Sequence, residues 1–524
     1  MSPHASALLK LIVFHYHFRS GGVRRVIETA APFLLRALPS IGRVIAAGGE
    51  AREVGWNATF RRSLAPVPVD FFIEPAFGYA SEQPAPDGLG QRIRAALGRL
   101  FEDGEPAIVW AHNLGIARNL HLARELARAC DARGIAMIAH HHDWWFDNRW
   151  LRWPEMKRAG FRTLNEVART LFPATENARF AAINRADANL LRRHFGTCVH
   201  WLPNPVARPA LPSARRVRSA QSWLRAKLGE DAPVWLMPCR ILRRKNVAEA
   251  LLLTRWLRPE AMLVTTGGAS SPDEEPYARR LADAAREHGW RLRFGVLADN
   301  ETAQPSLPEM LGASECLLLT SIQEGFGLAP LEAAAAGRPL IARRLPNIAP
   351  DFRRFGFRFP QCYREILIAP GVFDWEAEQR RQRSMYREWK NALPRNCRAW
   401  AEPPMLLQCA IPAPVPFSRL TLSAQIEVLA LPAAHSWKLC ANWNPLLRVW
   451  KARAGDGCLE TTQWPESADD WLGGESYARR FAEIVRCHPR KAAKPNDACA
   501  AQEEFIRLKL RTAQLFPLLF SKKS

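Results

Sequence analysis

The sequence predicts an α/β protein with two parallel-sheet domains, and three observations support this prediction. Short apolar segments such as residues 11–16 alternate with segments of helical periodicity along the first half of the chain. The same alternation begins again at residue 234, after a proline-rich stretch at residues 203–212. A chain of 524 residues is also too long for one ordinary core. An alternation that restarts after an interruption is typical of two doubly wound sheets.

The first domain is predicted to span residues 1–205. Helices are predicted at residues 23–38 and 120–130. The strands are short apolar runs of the kind that parallel sheets bury on both faces, and they are predicted at residues 11–16, 107–110, 135–139, 180–183 and 199–202. This β-α-β order predicts a Rossmann-like domain.

The second domain is predicted to span residues 206–395 and has the same order of elements. Gly337 and Pro339 mark the end of one of its helices, because glycine caps helix ends and proline prevents continuation. Its strands are predicted at residues 234–237, 262–266, 292–296, 316–320 and 340–342.

Residues 396–524 are predicted to form a C-terminal extension. Five prolines between residues 403 and 416 break the pattern into loops. One helix is predicted at residues 418–431, and an amphipathic helix at residues 502–516.

The charge of the chain is strongly positive, with a formal net charge of +22 and a pI near 10.1. Nucleic acid, an anionic membrane surface and phosphorylated substrates are the three kinds of partner that would suit this charge. The arginines are scattered, and the sequence lacks both a basic tail and an RNA-binding aromatic motif. A solvated basic surface is therefore favoured for most of them, followed by a face that docks on anionic lipid.

Cysteine usage and the N-terminus address the compartment. The 11 cysteines are odd in number and spread along the chain without a C-x-x-C pair, which argues against a disulfide framework and a zinc site. Residues 1–10 lack the charged and apolar regions of a signal peptide, and no apolar run approaches the ~20 residues of a membrane span. The prediction is a cytoplasmic protein, with peripheral association at the inner membrane face as the alternative.

The strongest chemical signal is the string at residues 321–332, which follows a predicted strand and opens a helix. Gly325 and Gly327 let the backbone approach a ligand, and the helix start offers N–H groups to a phosphate. Glu324 and Glu332 are carboxylates that can accept hydrogen bonds from sugar and ribose hydroxyls at the carboxyl ends of the strands. The alternative is a strand–turn–helix with packing glycines and two surface glutamates.

A second signal lies after the first strand of the second domain, at Arg240 and Lys245. A departing nucleoside diphosphate gains negative charge, and two cations at a strand end would stabilise it. The alternative is a basic helix start in a basic chain.

The first domain carries weaker signals. Gly21 and Gly22 follow the first strand, where a tight turn alone would also explain them. His142 and Asp143 follow another strand, at the end of a run of three histidines. Such a run can bind metal, but no partner at ligand spacing is found, so no metal is predicted. His141 would point to the opposite side of an extended chain and is the second choice after His142.

Two further features point to an acceptor. His17 follows the first strand, and a satisfied core histidine is an equal alternative there. Trp144 begins a segment rich in aromatic residues, and aromatic faces stack on sugar rings. Arg149 in that segment could hold a phosphate or a carboxylate. A core or lipid-facing aromatic patch is an equal alternative for the segment.

The string at residues 321–332 resembles the E-x7-E motif of the retaining GT-B glycosyltransferases of glycosyltransferase family 4, and Arg240 and Lys245 have the spacing of that family's diphosphate-binding pair. Asn204 is similar to its hinge asparagine. The resemblance implies two domains facing across a cleft, with the last helix returning to the first domain. It also implies a nucleotide-sugar donor, no metal or cofactor, and retention at the anomeric carbon.

The resemblance also implies roles for individual residues. Arg240 and Lys245 would hold the diphosphate, Glu332 the ribose, and Glu324 with His142 the transferred sugar. The donor would further contact Gly21, Gly22, Gly325, Phe326, Gly327 and Leu328, and the acceptor His17, Asp143, Trp144 and Arg149.

The predicted function is transfer of a hexose from a nucleotide-diphosphate sugar to a hydroxyl acceptor. One alternative is a membrane-docked transferase acting on a lipid carrier. Another is a non-enzymatic nucleic-acid-binding protein on a Rossmann scaffold. Charge alone supports the second alternative, and the set of Glu324, Glu332, Arg240 and Lys245 argues against it, so nucleic acid is not an expected partner.

Overall fold

The computed structural model describes residues 8–51, 55–83, 87–150, 152–206, 208, 210–269, 271–298, 304–487 and 494–520. The chain divides into two compact units. The first comprises Met1–Ala207, Ala392–Cys397 and Ser467–Lys509, and the second comprises Arg208–Asn391, Arg398–Glu466 and Leu510–Ser524. Residues 396–524, predicted as one extension, are thus shared between the two units. Residues 1–7, part of the segment used to predict the absence of a signal peptide, lie outside the described residues.

The first unit contains a seven-stranded parallel sheet in the order β3-β2-β1-β4-β5-β6-β7. Its strands are β1 (Leu9–Phe14), β2 (Ile41–Gly48), β3 (Val69–Ile73), β4 (Ala107–His112), β5 (Ala136–His141), β6 (Ala178–Ala182) and β7 (Val199–Trp201). β2 and β3 were not predicted. They extend the sheet beyond β1, with Val44 to Gly48 of β2 aligned along β3.

Helices connect these strands, as parallel pairing requires. They are α1 (Gly22–Ala37), α2 (Trp56–Leu64), α3 (Leu89–Leu100), α4 (Leu120–Asp131), α5 (Arg152–Arg158), α6 (Leu164–Leu171) and α7 (Arg185–Phe195). Asn119 caps α4 by accepting from the backbone N–H of Leu122, and Asn184 caps α7 by accepting from the backbone N–H of Asp187.

The second unit contains a six-stranded parallel sheet in the order β10-β9-β8-β11-β12-β13. Its strands are β8 (Val234–Met237), β9 (Met262–Thr265), β10 (Leu292–Arg293), β11 (Cys316–Leu319), β12 (Leu340–Arg343) and β13 (Gln361–Tyr363). A small antiparallel pair, β14 (Leu367–Ile368) with β15 (Val415–Pro416), follows. The two parallel sheets confirm the predicted α/β class with two Rossmann-like domains.

The helices of the second unit include one within the helix predicted at residues 418–431 and others that the sequence did not resolve. They are α8 (Ala214–Leu228), α9 (Val247–Leu257), α10 (Glu275–Glu287), α11 (Leu307–Ala313), α12 (Leu328–Ala335), α13 (Ala349–Arg354), α14 (Trp375–Ala392), α15 (Met405–Gln408), α16 (Leu422–Ala430), α17 (Ala433–Cys440) and α18 (Pro445–Gly455). α16, α17 and α18 pack against α9, which is buried along almost its whole length. Residues 398–466 therefore contribute to the core of the second unit.

The last helices belong to the first unit. They are α19 (Asp469–Leu472), α20 (Gly474–Arg486) and α21 (Pro495–Lys509). α20 packs against α1, and α21 packs against α6 and α7. The helix predicted at residues 502–516 instead begins at Pro495 and ends at Lys509. Within the described part of the chain, no helix has the length and apolar character required to cross a bilayer.

Candidate active site

In the second unit, the loop between β11 and α12 is shaped by one glycine. Gly327 precedes α12 with a φ of +81°, in the left-handed region that favours glycine. A Cβ at this position would lie 2.9 Å from Cδ1 of Ile348. A larger residue would therefore meet both backbone strain and a clash. The glycine predicted to permit close approach is required by the fold itself.

Glu324, at the centre of this loop, is held by two cations. Nη1 of Arg244 donates to one carboxylate oxygen at 2.8 Å, and Nζ of Lys245 donates to the other at 2.5 Å. The Glu324 side chain is only 9% exposed. Burial alone would raise the pKa of its carboxyl, but the charges of Arg244 and Lys245 outweigh burial and lower it to about 2. The carboxylate is therefore fully ionised at neutral pH.

Hydrogen bonds to backbone carbonyl oxygens join the two loops that the sequence suggested separately. The N–H of Ile322 donates to the carbonyl of Arg244 at 2.8 Å. The Thr320 hydroxyl lies 3.0 Å from the carbonyl oxygens of both Lys245 and Asn246. Asn347 donates to the Glu324 carbonyl at 2.8 Å. The loop after β8 and the loop after β11 therefore form one structure at the carboxyl edge of the sheet.

Arg240 and Glu332 lie on the same two connections. Arg240 is exposed, and its side chain passes over Gly267, where a Cβ would come within 3.0 Å of the Arg240 Cγ. Gly267 follows β9, so this cation lies between the ends of β8 and β9. Glu332 is the fifth residue of α12 and is partly exposed. Phe326 is buried, whereas Gly325 and Leu328 are partly exposed.

A buried ion pair fixes the segment after Lys245. Asn246 donates to Glu249 at 2.9 Å, and Glu249 also accepts from Nη2 of Arg343 on β12 and from the hydroxyl of Tyr363 on β13, each at 2.5 Å. Glu249 and Arg343 are 0% and 3% exposed. This network ties the start of α9 to two strands and so positions Lys245.

In the first unit, three buried histidines meet at the ends of β4 and β5. His112 pairs in register with His140, and His142 follows two residues later. Nδ1 of His112 lies 3.1 Å from Nε2 of His142, so one ring donates to the other. Nε2 of His140 lies 3.2 Å from the carbonyl oxygen of Leu202, to which it donates. His141 stacks instead on Trp144, which confirms that it points to the opposite side.

The histidine cluster is uncharged at neutral pH. Burial lowers the pKa of His140 to about 4, and burial together with neighbouring histidines holds the pKa values of His112 and His142 well below the usual range. Each ring offers a nitrogen within 4.8 Å of the others, so these three residues could ligate a metal ion. In the sequence no partner lies at ligand spacing from the histidine run; in the structure, His112 lies beside His140 and His142.

The glycine pair after β1 lies at the start of α1. Gly21 is the residue before the helix, with a φ of 165°, which is extended backbone. A Cβ at Gly22 would meet nothing within 4 Å, and one at Gly21 would make only ordinary contact with the Arg19 carbonyl. Packing within the described residues thus does not require either glycine.

His17 and a tyrosine that the sequence did not indicate lie near the ends of β1 and β3. Nε2 of His17 lies 3.0 Å from the Tyr79 hydroxyl, and the ring centroids of His15 and His17 are 5.0 Å apart. The guanidinium of Arg118, after β4, lies 4.6 Å from the centroid of the Tyr79 ring. Burial and the Arg19 charge lower the pKa of His17.

Asp143 and Arg149 lie after β5. The backbone N–H of Asp143 donates to Oδ1 of Asn113 at 3.0 Å. Nη2 of Arg149 lies 3.4 Å from Oδ2 of Asp143, and Nη1 of Arg149 donates to the Trp144 carbonyl at 2.8 Å. Asp143 is 37% exposed, so both groups lie within reach of solvent.

Trp144 is a core residue, which corrects its predicted role in stacking on an acceptor. Its side chain is 1% exposed and donates through Nε1 to Asp187 at 2.8 Å. His141 and Phe146 stack against it, with centroid distances of 4.4 Å and 5.5 Å. Both faces of the ring are thus covered by protein. Of the two interpretations of the aromatic segment, the structure supports the core.

Besides Tyr79, four residues on the connections after these strands or at their ends were missed by sequence reasoning. Arg244 adjoins a predicted cation, but its neighbours gave no sign that it would contact Glu324. His112 lies in an apolar strand and is revealed only by the register of β4 with β5. Arg118 and Arg152 belong to no motif, and in a chain with 73 lysines and arginines their type alone is uninformative.

Part of the second unit matches a known family model. Residues 224–357 match the family model "Glycosyl transferases group 1". The match runs from the last turn of α8 through α13 and includes Arg240, Lys245, Glu324 and Glu332. The matched residues are thus similar to the group 1 glycosyl transferases.

Curated proteins are similar to parts of the chain at 24% to 31% identity. The chain is 24% identical over 361 residues to mannosylglucosyl-3-phosphoglycerate synthase of Petrotoga mobilis, an alignment that covers 66% of each chain. It is 31% identical over 170 residues to D-inositol 3-phosphate glycosyltransferase of Xylanimonas cellulosilytica, covering 31% of this chain and 39% of that one. Mannosylglucosylglycerate synthase of Thermotoga maritima is 24% identical over 255 residues, covering 44% and 56%. These alignments span 39% to 66% of the relatives' own lengths.

Two solved structures are similar to the chain. Anabaena Alr3699/HepE in complex with UDP-glucose gives a TM-score of 0.45 at 17% identity, covering 66% of this chain and 82% of that one. WaaG, a glycosyltransferase involved in lipopolysaccharide biosynthesis, gives a TM-score of 0.47 at 14% identity, covering 91% and 99%.

Proposed function

We propose that this protein is a retaining glycosyltransferase that moves a hexose from a nucleotide-diphosphate sugar to a hydroxyl acceptor. The observation that carries the proposal is the site around Glu324: a buried carboxylate between two cations, on a loop that opens a helix. This site lies within the segment that matches the group 1 glycosyl transferases. The retaining outcome and the family 4 grouping rest on the resemblance of residues 321–332 to the E-x7-E motif.

The second unit would bind the donor. Arg240 and Lys245 supply two positive charges at the end of β8, where a nucleoside diphosphate gains charge as it departs. Glu332 would accept from ribose hydroxyls, and Glu324 from hydroxyls of the transferred sugar. Because Glu324 is ionised at neutral pH, it accepts hydrogen bonds and does not donate them.

The first unit would contribute the acceptor side and one group for the sugar. His142 is uncharged, so it can orient a sugar hydroxyl without adding positive charge. Gly21 and Gly22 leave open backbone where a ligand can approach. Asp143, Arg149 and His17 lie at the same sheet edge, at the ends of β5 and β1, and would contact the acceptor. Trp144 is not included, because its ring is covered.

The bond changes are those of a displacement at the anomeric carbon. The acceptor oxygen forms a bond to this carbon as the bond to the phosphate oxygen breaks. The hydroxyl proton passes to the departing phosphate, which leaves as the nucleoside diphosphate. The protein positions the reactants and stabilises the developing charge, and the reaction as proposed requires no metal or cofactor.

The setting and the acceptor class also belong to this proposal. All eleven cysteines lie in the described residues and are free thiols, as suits the reducing cytoplasm. The names of the curated relatives refer to glycerate and inositol phosphate products or acceptors. They support a small polyhydroxylated acceptor for this chain.

A thermal-shift screen tests the donor site. UDP, GDP, ADP and their sugar conjugates are each added to the full chain, with Glu332→Ala and Lys245→Ala beside the wild type. We expect one nucleotide to raise the melting temperature of the wild type and neither variant to respond. Folded protein that responds to no nucleotide would contradict the proposal.

One surface favours a second candidate setting, in which the transferase docks on an anionic membrane. Residues 433–455, here called the basic hairpin, comprise α17, a 3-10 turn and α18. Its inner face is buried in the core through Cys440, Leu447 and Trp450. Its outer face carries four large apolar side chains that are 41% to 55% exposed: Leu439, Trp443, Leu446 and Val449.

The charge of the basic hairpin matches anionic lipid. Residues 433–455 contain four lysines and arginines (Lys438, Arg448, Lys451 and Arg453) and lack aspartate and glutamate. Arg453 is paired with Glu460, just beyond the hairpin. Exposed apolar side chains beside cations are the features with which a helix binds at a lipid interface.

Vesicle flotation tests this setting. We expect the full chain to bind vesicles that contain phosphatidylglycerol and to be released by high salt. Trp443→Ser combined with Leu446→Ser should abolish binding, whereas Ile411→Ser, at another exposed apolar residue of the same unit, should not. Equal binding by both variants would exclude the hairpin. Salt-independent self-association that the double substitution abolishes would assign the face to a protein partner instead.

A further inference from the structure

The edge of the first sheet holds more positive charge than its own residues balance. Arg118 follows β4, and Arg149 and Arg152 follow β5; none of the three is fully exposed. β4 and β5 are neighbours in the sheet, and β1, which precedes Tyr16 and His17, adjoins β4. Because carboxyl ends of parallel strands meet at one edge, these side chains converge where such sheets bind ligands.

Arg152 has the least ordinary environment of the three. Its side chain is 11% exposed, and its Nε and Nη1 atoms are buried without a hydrogen-bond partner among the described residues. The nearest carboxylate oxygen of Glu155 lies 3.9 Å from Nη1, beyond hydrogen-bond distance. Burial, together with the charges of Arg118 and Arg149, lowers the pKa of Arg152 to about 9. A buried guanidinium that is repelled by its neighbours is costly unless an anion joins it.

Hydroxyl groups lie beside this cluster, and its carboxylates lie at the rim. The Tyr16 hydroxyl is buried, and the backbone N–H groups of Asn119 and Arg118 act on it together with the charge of Arg152. Tyr79 lies between His17 and Arg118. The carboxylates of Asp143 and Glu155, which are ion-paired with Arg149 and Arg152, are each 37% exposed and so lie at the rim.

We infer that Arg118, Arg149 and Arg152, with the Tyr16 hydroxyl, form a binding site for a phosphate group on the acceptor. A phosphate dianion offers three oxygens to guanidinium groups and hydroxyl donors, and it supplies the charge that this cluster lacks. The assignment of this phosphate to the acceptor rests on the proposed transfer reaction. The presence of a phosphate site does not depend on that reaction. It extends the role of Arg149 to two residues that carry no sequence motif.

Calorimetric titration of the full chain tests the site, with glycerol phosphate as the probe and glycerol as its neutral counterpart. The buffer is free of phosphate and held at constant ionic strength. We expect glycerol phosphate to bind and glycerol not to bind. Arg152→Gln should weaken binding by about tenfold or more, because it removes a charge-assisted pair. Arg158→Gln, at an exposed arginine on the same helix, should bind as the wild type does.

A second readout separates this role from a structural one. Arg152→Gln removes a buried cation that its neighbours repel, so the ligand-free variant should melt at the same temperature as the wild type or higher. A structural arginine would give the opposite result. Arg118→Gln should likewise weaken the binding of glycerol phosphate and leave the melting temperature of the ligand-free protein unchanged or higher.

The outcomes distinguish this inference from the proposed function. Glycerol phosphate binding no better than glycerol, or binding Arg152→Gln as tightly as the wild type, overturns the site even if UDP binds normally. UDP binding should be unchanged in Arg152→Gln, and its absence from the wild type would overturn only the transferase proposal. Vesicles of phosphatidic acid provide a further arm: competition with glycerol phosphate identifies a lipid phosphate, and failure to compete identifies a soluble one.

Discussion

The ammonium of Lys245 lies 2.5 Å from the carboxylate of Glu324. This contact joins a residue predicted to bind the diphosphate to a residue predicted to bind the transferred sugar. Arg244 holds the second carboxylate oxygen at 2.8 Å. A diphosphate at Arg240 and Lys245 would compete with Glu324 for Lys245. Arg244 would then keep Glu324 in place, which gives this unpredicted residue a positioning role.

Lys245→Gln should therefore lower both the affinity for the nucleoside diphosphate and the rate of transfer, the rate by about a hundredfold, because a charge that stabilises the leaving group is lost. Steady-state kinetics and a nucleotide titration measure the two effects. Arg243→Gln is the matched control, since Arg243 is paired with Glu274. An equal loss in Arg243→Gln would show that general positive charge, rather than Lys245, matters.

Stability should depend on pH through Glu324. Its pKa lies at about 2 in the folded protein against an ordinary value of 4.5, so the unfolded chain binds the proton more readily. The stabilisation is fully present above pH 4.5 and is lost as pH falls toward 2, by on the order of 3 kcal/mol. Thermal unfolding across this range should show a weaker pH dependence for Glu324→Gln. Glu376→Gln, at a carboxylate that is 84% exposed, serves as the control.

Trp144→Ala should destabilise the protein by about 3–5 kcal/mol, because it empties a packed site in the core. Urea unfolding measures the loss. Trp443→Ala, at a tryptophan that is 50% exposed, should cost about 0.5 kcal/mol or less. If Trp144→Ala instead retained its stability and changed only the KM for the acceptor, the assignment of Trp144 to the core would be wrong.

Removing one partner of the buried pair of Glu249 and Arg343 should also destabilise the protein. Glu249→Ala leaves Arg343 with the Glu365 carboxylate, 2.5 Å away, and the Arg364 carbonyl, and the expected loss is about 3 kcal/mol. Replacing both residues with methionine should cost less, because no buried charge then remains unpaired. Denaturant unfolding of both variants checks this order, and a double variant less stable than Glu249→Ala would contradict it.

The strands that the sequence predicted well are those with continuous apolar runs. Val234–Met237 was predicted with its observed bounds, and all four of its residues are buried. β2 escaped prediction because Gly42 and Arg43 interrupt its apolar residues near the start. Its extended form depends on pairing with β1 and β3, which a single segment does not reveal.

The site was predictable where chemistry lies in one short segment and unpredictable where it depends on pairing. The residues from Glu324 to Glu332 lie on one loop and helix, so their spacing is visible in the sequence. His112 meets His140 and His142 only because β4 and β5 align in parallel. The acceptor roles given to His17, Asp143 and Arg149 stay predictions.

The helix predicted at residues 502–516 ends at Lys509 in the structure, again because of contacts that a single segment does not reveal. Apolar residues continue with helical spacing past Lys509, but Phe516 and Leu518 are buried in the core of the second unit. The periodicity therefore ran across a boundary between two units, where the helix ends.

Because the chain is synthesised from its N-terminus, the position of residues 467–509 in the sequence affects when the core of the first unit is completed. Tyr477, Phe481 and Ile484 of α20 belong to the same hydrophobic core as Leu11 and Val13 of β1. The strands of the first unit are therefore synthesised well before α20, which completes their core. During synthesis, their apolar surface is available to chaperones, and a message truncated before residue 467 would yield a first unit with that surface permanently uncovered.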